Sequence, residues 1–122
     1  MADERKTVLV VDDTPENIRA LTAALAGLYK VKAATSGAKA LEMCAANPPH
    51  LVLLDVLMPA MDGFEVCRRL KADPRTAGVP VIFASSVADD AERETGRSVG
   101  AVGFLAKPID PAAVLACVAT HI

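Results

Sequence analysis

The chain has 122 residues, of which 52% are hydrophobic and 23% charged, and its net charge is -2. This fits a single globular domain with one full core, and the lack of any block of like charge excludes the basic stripe of a nucleic-acid-binding surface. No apolar run is long enough to span a bilayer and the polar start MADERK is not a signal peptide, so a cytoplasmic protein without a membrane partner is expected.

Aromatic residues are only 3% and tryptophan is absent, so the core must be built from Val, Leu, Ile and Ala. Cys44, Cys67 and Cys117 lie far apart in helix-like segments and form no C-x-x-C pair, which predicts buried reduced thiols.

The first strand is Thr7 to Val11, an apolar run that ends directly in two acids, Asp12 and Asp13. A helix follows from about Pro15, with Ile18, Leu21, Leu25 and Leu28 at helical spacing on one face. KVKAAT predicts a second strand whose alternating lysines suit a sheet edge. Ser36 then caps a helix carrying Ala40, Leu41, Cys44 and Ala45, and NPPH stops it.

LVLLDV is the most continuous apolar run and predicts the central strand. A third helix is expected over roughly Phe64 to Ala72, a fourth strand in VPVIFASS, and a fifth in AVGFLAK. The last helix begins at Asp110, a good N-cap, with Pro111 in the first turn. Strands alternate with helical patterns throughout, as in a parallel sheet with crossover helices, and nothing suggests a second domain.

In open sheets of this kind ligands bind at the carboxyl ends of the strands. Here those ends carry Asp12 and Asp13, then Asp55, then Ser85 and Ser86, then Lys107. Taken singly, the paired aspartates could cap a helix, Asp55 could serve a turn, and Ser85 and Lys107 could be ordinary loop residues. Together they gather three carboxylates, a hydroxyl and an amine on one rim, and three carboxylates resist joint ionisation unless a cation joins them. Oxygen ligands without His or Cys suit Mg²⁺, or Mn²⁺ in its place. One acid would remain free to act as a nucleophile and form an aspartyl phosphate. Phosphoryl transfer needs mainly positioning and charge neutralisation, which a metal, a lysine and a hydroxyl supply.

VLVVDDTPEN, LVLLDVLMPAMDGFEVCRRL, VPVIFASS and GAVGFLAKPID resemble, in order and spacing, the receiver domain of two-component response regulators, the CheY-like family. The resemblance covers nearly the whole chain and implies a flavodoxin-like (βα)5 three-layer sandwich with strand order 2-1-3-4-5. It implies Asp55 as phosphoacceptor, Asp13 as a direct Mg²⁺ ligand, Asp12 as a ligand mainly through water, and the Leu57 backbone carbonyl as a further ligand. Lys107 would pair with the carboxylate and then the phosphoryl group, with a cis bond to Pro108. Ser85 would bond a phosphoryl oxygen, and Phe104 would be the aromatic that turns inward as Ser85 moves.

The implied partners are a histidine kinase or phosphotransfer protein upstream. Downstream stands a protein target, or a homodimer, engaged through helix 4, strand 5 and helix 5. Departures from the family pattern are Phe104 for tyrosine, Ser85 for threonine, and Gly103 for the acid often found before the aromatic. Leu57 and Val87, two residues beyond Asp55 and Ser85, occupy positions that flank the attacking water in this family; both are apolar, which implies slow dephosphorylation. The expected organisation is one receiver domain over 1–122 without an output domain, either stand-alone or excised from a larger protein.

Three other readings fit the sequence less well. A Mg²⁺-dependent phosphatase with an aspartate nucleophile would want a second acid where Leu57 stands. A nucleotide- or flavin-binding domain would need a glycine-rich phosphate loop, and none follows any strand. A degenerate receiver that only binds partners would not need the complete acidic set.

Two helices carry further expectations. The last, PAAVLACVATHI, is apolar nearly all round: Val114, Leu115, Val118 and Ile122 can face the sheet, leaving Ala113, Ala116 and Cys117 outside as an alanine-rich surface or an interface. The fourth, ADDAERETGRSVG, has Gly96 in its interior and few large apolar residues, so it is expected to be the least protected helix.

Overall fold

The computed structural model describes residues 4–122. In chain order it contains β1 (Thr7–Val11), α1 (Pro15–Leu25), β2 (Lys30–Ala34), α2 (Gly37–Ala46), β3 (Leu51–Asp55), α3 (Gly63–Ala72), β4 (Val81–Ser85), α4 (Asp90–Ser98), β5 (Gly103–Ala106) and α5 (Pro111–His121). The strands form one parallel sheet in the order β2-β1-β3-β4-β5, as expected, with β3 at its centre.

Alternate strand residues divide the core into two layers, because successive side chains point to opposite faces. Leu9, Val11, Leu54 and Phe83 pack on one face with Ala40, Cys44, Val66 and Leu70 of α2 and α3. Val8, Val10, Leu53 and Ile82 pack on the other with Leu21 and Leu25 of α1 and Val114 and Val118 of α5. Each fully buried Leu or Val stabilises this arrangement by roughly 1.5–3 kcal/mol, and the three inner strands, β1, β3 and β4, are buried on both faces. At the β2 edge Lys32 is exposed, a charge that discourages pairing with another chain.

Caps fix where the helices begin. Ser36 accepts a bond from the Lys39 backbone N–H, Asp62 from Glu65, Asp89 from Glu92 and Asp110 from Ala112. α1 has no side-chain cap at Thr14; instead Asp12 Oδ1 accepts the Thr14 backbone N–H at 2.9 Å. Asp12 thus orders the turn that leads into α1 but does not cap the helix, whose first-turn N–H groups it does not reach.

Two sequence expectations are corrected, and a third is refined. α1 stops at Leu25, and Leu28 lies beyond it, 62% exposed. The backbone N–H groups of Leu28 and Tyr29 both bond the Leu25 carbonyl, closing a turn that sends Tyr29, not Leu28, against the core. Cys117 is not on the outside of α5; it packs beside Gly103, where an added Cβ would lie 3.1 Å from its sulfur. Gly96 is buried rather than a simple weak point, because a Cβ there would come within 3.1 Å of Phe83 and 3.2 Å of Phe104. The missing side chain lets α4 sit on two rings.

Candidate functional site

Strand register brings the polar residues together. Val11 of β1 is level with Leu54 of β3, so Asp12 and Asp55, the next residues on each strand, stand side by side at the carboxyl edge. Asp55 is level with Ala84 of β4, and Ser85 pairs with Ala106 of β5. The backbone N–H of Lys107 bonds the Ser85 carbonyl at 2.9 Å, fixing where the lysine leaves the sheet. The bond from Lys107 to Pro108 is cis.

Carboxylate oxygens of Asp12, Asp13 and Asp55 lie within 4.8 Å of one another. Asp12 and Asp55 are buried, whereas Asp13 is exposed. Lys107 Nζ bridges the buried two, 2.8 Å from Asp12 Oδ2 and 3.1 Å from Asp55 Oδ1. Burial pushes the Asp55 carboxyl above the usual carboxylate range, and repulsion from Asp12 adds to this; the Lys107 charge and bond, and the Leu57 backbone N–H, pull the other way without cancelling it. Burial works against the Lys107 ammonium, but its bonds to Asp12 and Asp55 outweigh that and hold its pKa above the ordinary value.

The donor set suits a hard divalent ion. Three carboxylates against one ammonium leave two negative charges in a site made only of oxygen ligands. Receiver domains generally bind Mg²⁺ at such an acidic pocket.

The segment between β3 and α3 is tightly held. Gly63 donates its backbone N–H to the Val56 carbonyl at 2.8 Å, and its Cα sits so close that a side chain would strike the Asp55 backbone carbonyl. Ala60 in the same segment has φ 67, a left-handed conformation that costs a non-glycine residue roughly 1–2 kcal/mol.

Ser85 is fully buried, and its Oγ accepts the Val87 backbone N–H at 3.1 Å. Leu57 and Val87 are 56% and 43% exposed, two apolar side chains following the acid and the hydroxyl. Phe104 is half-buried, with its ring centroid 6.0 Å from that of Phe83. A cleft of about 170 Å³ opens beside Phe104 between α4 and β5.

Every residue singled out from the sequence is thus at or next to this edge of the sheet, or in the aromatic row behind it. Sequence reasoning missed Gly63 and Arg93. Gly63 was visible as the glycine following the N-cap in MDGF; Arg93, whose guanidinium lies over Phe104, carries no sequence signal of that role.

Residues 8–119 match the family described as the response regulator receiver domain. The chain is 48% identical over 104 residues to the response regulator PleD of Caulobacter vibrioides, covering 84% of this chain and 23% of that protein. It is 41% identical over 116 residues to a probable cyclic di-GMP phosphodiesterase of Vibrio cholerae, covering 95% of this chain and 26% of that protein. The chain therefore spans about a quarter of the length of these curated relatives. Among solved structures, the Vibrio cholerae chemotaxis protein CheY4 superposes with a TM-score of 0.91 at 26% identity, covering 97% of this chain and 99% of that one.

Proposed function

Because the chain belongs to the response regulator receiver domain family and is a receiver domain of a two-component system, we propose that Asp55 is its phosphoacceptor. The observation that carries this is the pairing of a buried carboxylate at the end of the central strand with Lys107 on one side and two further acids on the other. The carboxylate oxygen of Asp55 attacks the phosphorus of a phosphohistidine. The P–N bond breaks, and the imidazole nitrogen leaves with its electron pair and takes up a proton.

Asp12, Asp13, Asp55 and the Leu57 backbone carbonyl would hold Mg²⁺, or Mn²⁺, which when bound neutralises charge on the carboxylates and the incoming phosphoryl oxygens. Lys107 needs only to exchange one carboxylate for a phosphoryl oxygen, since its ammonium already spans the pocket. Ser85 supplies a hydroxyl after giving up its bond to the Val87 N–H. The cleft beside Phe104 gives its ring room to change place, which would alter the surface of α4, β5 and α5.

Members of this family interact with histidine kinases or phosphotransfer proteins and with effector domains. For this chain we take a histidine kinase or phosphotransfer protein as donor, and a protein target, or a second copy, as the reader of the α4-β5-α5 face. The phosphodiesterase name belongs to that relative; this chain we read as a signalling phosphoacceptor that catalyses only its own phosphorylation and dephosphorylation, acting in the cytoplasm. Residues 1–122 are read as one receiver domain. Among the described residues no helix is long and apolar enough to cross a membrane.

Intact-mass measurement after incubation with Mg²⁺ and acetyl phosphate tests the proposal. One added phosphoryl group on the wild type and none on Asp55→Asn is expected; unchanged mass of the wild type, or equal labelling of the variant, would overturn it.

A further inference from the structure

Phe104 has no hydroxyl, so whatever holds its ring must act on the ring's face or edge. Arg93 of α4 does so: its Cζ lies 5.3 Å from the ring centroid, within cation–π range. The same guanidinium is tied at another point, since Nε donates to the Ala88 carbonyl at 3.1 Å. Ala88 belongs to the segment joining β4 to α4, and its neighbour Val87 donates a backbone N–H to Ser85 Oγ. The guanidinium is planar and rigid, so a bond at Nε and a contact at the face move as one body. Close approach of α4 to the ring is permitted by Gly96, one turn along.

We propose that Arg93 is a positioning residue that links the β4–α4 segment to Phe104, holding the segment by its Nε–H and the ring by its cationic face, so that movement of either displaces the other. The link takes over the anchoring that a ring hydroxyl would otherwise provide. Its role in signalling rests on the assignment of Ser85 and Phe104 given above. The mechanical link itself can be tested without phosphate.

Phe104→Leu is introduced into the wild type, Arg93→Lys and Arg93→Ala, and the amide resonances of Val87 and Ala88 are recorded by NMR. Arg93→Lys keeps the cation and loses the Nε–H donor; Arg93→Ala loses both. Loss of the ring should shift these two amides in the wild type and leave them nearly unmoved in both Arg93 backgrounds. Equal shifts in all three backgrounds, or none in the wild type, would overturn the link.

In a second arm the rate of phosphorylation by acetyl phosphate should change about two- to fivefold in Arg93→Ala, and the double variant with Phe104→Leu should show no further change. Independent, multiplying effects, or no effect of Arg93→Ala, would contradict the proposal. A wild type that takes up no phosphate would count against the functional reading, while the amide shifts would still decide the role of Arg93.

Discussion

Gly63 lies directly against the backbone carbonyl of Asp55, the residue that ends the central strand. The contact is backbone to backbone, so no side chain can swing aside to relieve it. Gly63→Ala is therefore expected to destabilise the fold by about 3 kcal/mol, at the upper end of ordinary overpacking, and to displace Asp55. Urea unfolding measures the first effect. A variant as stable as the wild type would mean that the segment from Val56 to Asp62 is more compliant than its bonds indicate.

Asp55 has its pKa raised by burial and by Asp12. The folded protein therefore holds its proton more tightly than the unfolded chain, and stability falls as pH rises from the ordinary aspartate value of 3.8 through the folded pKa. Above that window the buried charge is a full penalty. In metal-free buffer Asp55→Asn should accordingly melt higher than the wild type at neutral pH, with the gap closing in acid as Asp55 becomes protonated. The Lys107–Asp12 pair, at 2.8 Å, stays intact in the variant. Thermal melts across pH check this, and a variant less stable than the wild type at neutral pH would refute it.

Glycine inside a helix ordinarily costs about 1 kcal/mol relative to alanine, so Gly96→Ala would be expected to stabilise α4. The rings of Phe83 and Phe104 work against that expectation, because at 3.1 and 3.2 Å both lie closer to the new Cβ than most real contacts and would have to give by a few tenths of an ångström. The variant should be neutral or destabilised by about 1 kcal/mol. A clear gain in the urea midpoint would show that the rings yield freely.

α4 buries only Gly96, while α3 buries five residues from Gly63 to Leu70 and α1 buries Leu21 and Leu25. With so little apolar surface holding it, α4 should exchange its amides faster than any other helix. Protection in α4 equal to that in α1 would contradict this.

Leu57 and Val87 stand exposed beyond Asp55 and Ser85, and neither side chain can hydrogen-bond a water molecule. The phosphoryl group on Asp55 should consequently be lost slowly. Leu57→Asn, which supplies an amide at that point, should speed the loss by about tenfold, short of the 10²–10⁴ that a positioned general base contributes. Phosphate release followed after donor removal measures it; an unchanged rate would separate this position from the attacking water.

Much of this was legible in the sequence because the strongest signals are local. LVLLD names a buried strand by its composition, Ser36 and Asp110 name helix starts by their chemistry, and the acids stand out because they end apolar runs. What was not legible depends on long-range contact. Leu28 keeps the helical spacing but falls past a turn closed on Leu25, and spacing cannot see a turn. Cys117 was misplaced, and the rings beside Gly96 went unseen, because each depends on a partner far along the chain: Gly103 leaves room for the thiol, and Phe83 and Phe104 occupy the space beside the glycine. Arg93 was invisible for the same reason, being one charge among several on an exposed helix.

The central claim is that the acids at the end of the sheet are held together by a divalent ion that readies Asp55 for phosphate. Titration of the metal-free protein with Mg²⁺, followed by amide resonances around Asp12, Asp13 and Leu57, tests it most directly. Saturable binding of one ion, weakened in Asp13→Asn, is predicted; resonances that stay still, or drift without saturating, would contradict it.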